Sequence, residues 1–227
     1  THWQGKQQIT IATSTALASM WLIPKISDFN LHYPDIELRI FAVDNPFNSQ
    51  GSEYDLAIYY LRHPPQHGKS IPLHAEEIVP VCSPQYMDKY GPIGDINDLK
   101  EHTWLTLDES LTHWISWDDW FDKLGLPRLK PKRRININSY SMVIQAPLSG
   151  QAIALGWKNL IDSYLHAGSL VPAVNRTLHT NYKFYIIEQD DELVRRKNIQ
   201  PIFDWLIDQI DHSEREFSVA TDFETLA

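Results

Sequence analysis

The sequence predicts an α/β protein built as two lobes joined by two crossovers that serve as hinges. Three observations predict it. A strand runs directly into a helix near the N-terminus, strands apolar on both faces follow, and the same strand-to-helix order repeats after residue 78 before the chain returns. Strands buried on both faces need helices covering the sheet, and two passages between two lobes allow them to open and shut. The expected division is lobe I over 1–78, lobe II over 79–174, and a return to lobe I over 175–227.

Gln8-Ile9-Thr10-Ile11-Ala12-Thr13 alternates polar and apolar residues and then meets Ser14-Thr15-Ala16, which reads as a strand entering a helix N-terminus. From Ala16 to Leu31 apolar residues recur at helical spacing, with Pro24 expected to bend or interrupt the helix. Ile36 to Val43 and Tyr54 to Tyr60 are the second and third strands. Ile78 to Ser83 opens the second lobe as a strand, and Pro84 to Tyr90 is a short helix closed by Gly91-Pro92. Ile96 to Leu99 reads as a short helix, Thr103 to Leu107 as a strand, and Trp114 to Leu124 as an amphipathic helix ended by Gly125-Leu126-Pro127. Arg134 to Asn138 is a strand, Met142 to Ser149 has helical spacing despite Pro147, and Ala152 to Trp157 is a strand. Leu170 to Val174 leaves the second lobe, Lys183 to Glu188 returns as a strand to the first, and Ile199 to Ile210 forms a C-terminal amphipathic helix. The polar, acidic tail Ser213 to Ala227 is the loosest part expected.

With 227 residues the chain is long enough for one large domain or two lobes of roughly 100 residues each. Its formal net charge of -9 argues against a nucleic-acid surface, since phosphate binding needs clustered positive charge. The basic cluster Lys130, Lys132, Arg133 and Arg134 reads as a solvated turn. Cys82, the single cysteine, lies beside the apolar Ile78-Val79-Pro80-Val81, reads as a small core residue and fits a reducing compartment. Apolar runs fall far short of the ~20 residues of a membrane span, and Thr1 to Gln8 lacks a signal-peptide core, so the chain reads as cytoplasmic. Ten histidines invite a metal, but none forms an HxxxH pair on a clear helix, and His63 and His67 lie in a Pro-rich loop. Ser149-Gly150-Gln151 does not match a nucleophile elbow, and no Ser/His/Asp set has catalytic spacing. Neither a metal, a cofactor nor a catalytic residue is expected, and the chain is read as not an enzyme.

In open parallel sheets ligands bind beyond the carboxyl ends of the strands. Ser14-Thr15, Asp44-Asn45 and Tyr59-Tyr60 all stand at such ends and point to one crevice. Ser14 and Thr15 begin a helix, where free N–H groups and hydroxyls suit a carboxylate, although a plain N-cap uses the same groups. Ser139, Tyr140 and Ser141 form the equivalent turn in the second lobe, so two helix ends would clamp an acidic group. Tyr59 and Tyr60 offer aromatic faces to a ring or an ammonium, with core packing as the alternative. Asp44 and Asp108 follow strands and would neutralise a cationic group, or simply form turns. Trp114, Trp117, Trp120 and Phe121 recur at helical spacing and read as core, with Trp114, at the helix start, the one placed to reach a ligand.

The pattern resembles the effector-binding domain of LysR-type transcriptional regulators, in the subgroup with the glycine-cleavage and β-lactamase regulators. The resemblance rests on Trp21-Leu22-Ile23-Pro24-Lys25, Tyr33-Pro34-Asp35-Ile36, Asp55-Leu56-Ala57-Ile58 and Val79-Pro80-Val81-Cys82-Ser83-Pro84. Its most specific stretch is Gln145-Ala146-Pro147-Leu148-Ser149-Gly150-Gln151-Ala152-Ile153-Ala154-Leu155-Gly156-Trp157, and Leu165 to Pro172 follows in order. It covers essentially the whole chain. It implies a periplasmic-binding-protein-like (type 2) fold, a small-molecule effector in the cleft and a homodimer or tetramer. DNA would be bound only through an N-terminal winged helix-turn-helix upstream of Thr1. Two departures stand out: Tyr59-Tyr60-Leu61-Arg62-His63-Pro64-Pro65 replaces an Arg- or Gly-containing turn, and Pro147 stands where relatives usually have Ala. The ligand expected is amino-acid-like or another zwitterion, or a quaternary amine. The alternatives are a solute-binding protein of a transporter and, more remotely, an enzyme using Asp44 or Asp108 as base. Apolar excess on the helix Ala16 to Leu31 and on the helix after Ser141 is expected to serve self-association.

Overall fold

The computed structural model describes residues 7–44, 54–63, 69–108, 114–188 and 198–209. Strand β1 (Gln7–Thr13) pairs in parallel with β2 (Ile36–Ala42) on one side and β3 (Leu56–Leu61) on the other. In the second half β5 (Thr103–Leu107) pairs in parallel with β6 (Arg133–Ile137) and β7 (Ile153–Trp157). Between the halves run two long strands, β4 (Ser70–Cys82) and β9 (Leu178–Glu188), antiparallel to each other. β9 also pairs with β3, and β4 with β7 and with the short β8 (Val171–Pro172). The hydrogen-bonded order is therefore β2-β1-β3-β9-β4-β7-β5-β6. This is the two-lobed α/β fold with two crossovers that the sequence predicts, and the crossovers are strands.

Both crossover strands begin earlier than the sequence predicts. The expected strand starts at Ile78 and the expected return at Lys183, yet pairing runs from Ser70↔Ile187 to Ile78↔Leu178. Ser70 to Glu77 carries Pro72, His74, Glu76 and Glu77, and Leu178 to Tyr182 alternates with polar residues, so neither stretch looks like a buried strand alone. Each is a strand because the other is its ladder partner. The register shifts between Pro72 and Ala75 and again before Glu76, placing an irregularity where the chain passes between halves.

The first helical path changes form around Pro24. It runs as α1 (Thr15–Leu17), a π-helical segment Ala18–Leu22, a 3₁₀ turn Ile23–Lys25 and α2 (Ile26–His32). A proline there has no N–H to give the preceding turn, and wider and tighter turns absorb the mismatch. Helix α3 (Pro84–Tyr90) is capped by the Ser83 hydroxyl and followed by a 3₁₀ turn Ile96–Glu101. Helix α4 (Trp117–Lys123) starts three residues later than the aromatic spacing predicts, because Ser116 and Asp119 form a reciprocal capping box. It ends before Gly125 at φ 66°. Helix α5 (Tyr140–Leu148) tolerates Pro147 near its end, and α6 (Lys158–His166) follows β7 directly and ends at Leu165-His166, where the family resemblance puts a helix end. The C-terminal helix α7, residues 200–209, packs back on α2 through an edge contact of Phe29 with Trp205 at 5.1 Å and a Trp205 Nε1–Asp28 Oδ2 bond of 2.8 Å. Ile210 and the tail Ser213 to Ala227 lie outside the described residues.

A single large core spans both halves, with a smaller cluster around Ala12, Ala57 and Tyr59 on the other face of the first sheet. Trp104 stacks on Trp117 at 4.2 Å, and the Trp104, Trp117 and Trp120 indoles donate to the carbonyls of Leu99, Leu105 and Ile78. These tryptophans are core, as their spacing predicts, and each buried N–H finds a carbonyl. Cys82 is buried, and burial pushes its thiol up to about 11. Among the described residues no helix is long and apolar enough to cross a membrane, and no three His, Cys, Asp or Glu side chains converge.

Candidate ligand-binding site

Because β1, β2 and β3 are parallel, as are β5, β6 and β7, each half has one edge where all its strands end. The two edges face each other across the β4–β9 pair. Tyr60 stands near the end of β3, Trp114 beyond the end of β5, Tyr140 just after β6 and Trp157 at the end of β7. Their rings meet. Centroid distances are 5.9 Å for Tyr60–Trp114, 4.7 Å for both Trp114–Tyr140 and Trp114–Trp157, and 5.1 Å for Tyr140–Trp157. Tyr182 on β9 joins at 6.2 Å from Tyr60. Among the predicted site residues, Tyr60, Trp114 and Tyr140 are thus brought together, although they lie far apart in sequence.

Tyr140 is almost wholly buried, and its hydroxyl accepts from Trp157 N at 2.9 Å and donates to Leu155 O at 3.3 Å. Burial holds this phenol well above its usual range. Trp114 remains half-buried and borders a small cavity that Thr106, Val143 and Trp157 also line.

Beneath these rings the crossovers bring in a carboxylate. Glu76 is 1% exposed. Its Oε1 accepts from Trp157 Nε1 at 2.7 Å and its Oε2 from the Thr180 hydroxyl. The Tyr60 hydroxyl is buried beside Glu76, and burial first, then the charge of Glu76 and the contact with its carboxylate, raises its pKa far above normal. Arg62 and Lys123 lie over the Tyr182 ring at 5.7 and 5.2 Å.

The remaining predicted residues fall into other groups. Ser14 caps α1, its hydroxyl accepting from Leu17 N at 3.2 Å. Thr15 gives both its N–H and its hydroxyl to Asp44 Oδ1, at 2.9 and 2.8 Å, so the chain's own carboxylate sits at that helix start. Ser139 and Ser141 hydrogen-bond to each other at 3.1 Å at the start of α5, and α5 packs against α1 across the crevice. Tyr59, one residue from Tyr60, is on the opposite face of the sheet, with its hydroxyl donating to Val43 O at 3.3 Å. Burial raises its pKa too. Asp108 extends the β5–β6 ladder through its N–H to Ile137 O at 2.9 Å. Asn45 and His67 lie outside the described residues.

Sequence reasoning did not single out Glu76, Trp157, Thr180 or Tyr182 as site residues. The available signal was a glutamate two residues before the apolar run Ile78 to Cys82; its partners lie 81 and 104 positions away.

A sequence model described as "LysR substrate binding domain" matches residues 4–210. The glycine cleavage system transcriptional activator of Escherichia coli (strain K12) is 32% identical over 188 residues, covering 83% of this chain and 60% of that protein. Its homolog in Haemophilus influenzae is 30% identical over 211 residues, covering 92% of this chain and 67% of the relative. The chain thus spans about 60% of the length of the first of these relatives. Among solved structures, the effector domain of the transcriptional regulator AmpR of Pseudomonas aeruginosa superposes with a TM-score of 0.74 at 20% identity, covering 92% of this chain and 98% of that one.

Proposed function

The chain belongs to the LysR substrate-binding domain family, and from this premise we propose that it senses a small-molecule effector between its lobes and passes the change to a DNA-binding part of a transcription regulator. The observation that carries the reading is the convergence of strand ends from both halves on the Tyr60–Trp114–Tyr140–Trp157 cluster. A ligand entering there touches both halves at once, which is what couples binding to their relative position. The lobes are 1–78 with 175–227, and 79–174.

Within this reading Tyr60, Trp114 and Tyr140 form the wall, and Ser139 and Ser141, with Thr15 and Asp44 opposite, supply polar contacts. Ser14, Tyr59 and Asp108 serve mainly as cap, sheet packing and ladder in the present conformation. The effector is small and amino-acid-like or otherwise cationic, because aromatic faces attract ammonium groups. The chemistry is recognition, not turnover. The relatives named above are transcription regulators, which favours this reading over a transporter's solute-binding protein, and a cytoplasmic location goes with it. Self-association into a dimer or tetramer is supported by exposed Ile23 and Leu31 on the first helical path and Met142 on α5.

The test is thermal unfolding together with X-ray scattering against amino acids, aromatic acids and quaternary amines. At least one compound is expected to raise the melting temperature and alter the radius of gyration. At a hundred times its Kd it stabilises the fold by about 2.7 kcal/mol. If no compound changes either quantity, the sensing proposal fails.

A further inference from the structure

We propose that Glu76 is the residue that reads the effector's amino group, so that the ligand class is a small organic zwitterion held by its ammonium at the floor of the crevice. The inference deepens the sensing role proposed above and rests on it.

A buried carboxylate is costly unless its charge is matched. Glu76 is 1% exposed, and its hydrogen-bond donors, Trp157 Nε1 and the Thr180 hydroxyl, are both neutral. Among the described residues no cation forms an ion pair with it. Nearby on the sheet, Lys158 Nζ meets the neighbouring Glu77 at 2.8 Å, and His179 Nδ1 lies 3.9 Å from Glu77. The fold therefore brings a carboxylate to the junction of its two halves with no basic side chain paired to it among the described residues.

The surroundings fit an ammonium. Tyr60, Trp114 and Trp157 line one connected aromatic wall beside the carboxylate, and the negative faces of such rings favour a desolvated cation. The buried Tyr60 hydroxyl lies against Glu76 and belongs to the same polar junction. At the ring of Tyr182, Arg62 and Lys123 supply positive charge from the two halves. A zwitterion with its amine toward Glu76 would place its acid on the side of the crevice where this positive charge lies. Glu76 lies on β4, Thr180 on β9 and Trp157 on β7, so the same contact would be felt by both crossovers and the second half.

The experiment measures binding of matched pairs to the purified chain by calorimetry: alanine with lactate, serine with glycerate, phenylalanine with phenyllactate. Within each pair only the amine differs. Expected is that the amino acid of at least one pair binds on the order of ten-fold or more tighter than its hydroxy acid. Glu76→Gln should bring it down to the hydroxy acid's level, because the amide still accepts from Trp157 but carries no charge. Should the glutamine variant unfold, Trp114→Leu on the half-buried side of the wall serves instead, and should weaken the amino acid more than the hydroxy acid. Hydroxy acids binding as well as amino acids overturns the proposal while sensing stands. So does undiminished amino-acid binding by Glu76→Gln. If nothing in these pairs binds but an aromatic acid in the wider panel does, sensing again survives and the role of Glu76 does not. If no compound of any class binds, both readings fall together.

Discussion

At the scale of single residues, the clearest case is the pair Tyr59 and Tyr60. Successive side chains of a strand point to opposite faces, so one of two adjacent tyrosines had to face away from the crevice. The pairing of β3 with β9, with Tyr60 opposite Phe184, assigns Tyr60 to the crossover face and Tyr59 to the small cluster behind. The sequence put both at the strand end and favoured Tyr60 over Tyr59. His102 shows how burial at one residue becomes a pH response. Burial lowers its pKa, with Asp98 and Glu101 acting in the opposite direction, and its Nδ1 lies 2.9 Å from the Tyr86 hydroxyl. The neutral ring suits this contact, since Nδ1 can then accept from the phenol. A folded pKa below the unfolded 6.5 means that the unfolded state binds the proton more readily. The contribution is intact above the unfolded value and is lost as pH falls through 6.5 toward the lower folded value. Denaturant unfolding between pH 8 and 5 should therefore show a loss of stability that His102→Gln reduces; an identical pH slope in the variant would sink the assignment.

At the scale of elements, β7 and α6 show what the family-like stretch ending in Gly156-Trp157 does physically. A Cβ at Gly156 would stand 2.5 Å from Ile161 Cδ1 and 3.0 Å from Val81 Cγ2, so the glycine lets α6 and β4 close over β7. Gly156→Ala is expected to cost about 1–3 kcal/mol through overpacking, read as a lower midpoint in urea with little change in slope. An unchanged midpoint would show that Ile161 turns aside freely. The start of α1 was legible, with Ser14 as its cap, whereas the cap Ser116 lies inside the stretch that aromatic spacing assigned to a helix. Crossover strands were the least legible. Their polar residues, Glu76 and Thr180 among them, serve the interior of a junction and so break the apolar pattern by which buried strands are recognised.

At the scale of the whole molecule, two parallel sheets are joined by antiparallel β4 and β9, and that junction carries both the hinge and the candidate site. Exposed apolar residues outside it point to a second property. Leu31 is 81% exposed and Ile23 54%, both on the helical path that covers the first sheet. We expect the chain to sediment as a dimer or larger, and Leu31→Glu to shift it toward monomer with its melting temperature nearly unchanged, because that side chain contributes little to its own core. A wild-type chain that sediments as a monomer at every concentration would refute the self-association.

What the amino-acid sequence determined by itself is local and ordinal. Strand and helix periods, serine caps and glycine stops depend on residues a few positions apart, and the order of motifs along the chain was enough to indicate two lobes and a family resemblance. Only the tertiary structure decided which strand end faces which. Glu76 meets Trp157 across 81 positions and Thr180 across 104, and Tyr60 meets Trp114 from the other half. Those contacts depend on the register and crossing of β4 and β9, set by pairing between distant segments, and no periodicity within either segment encodes them.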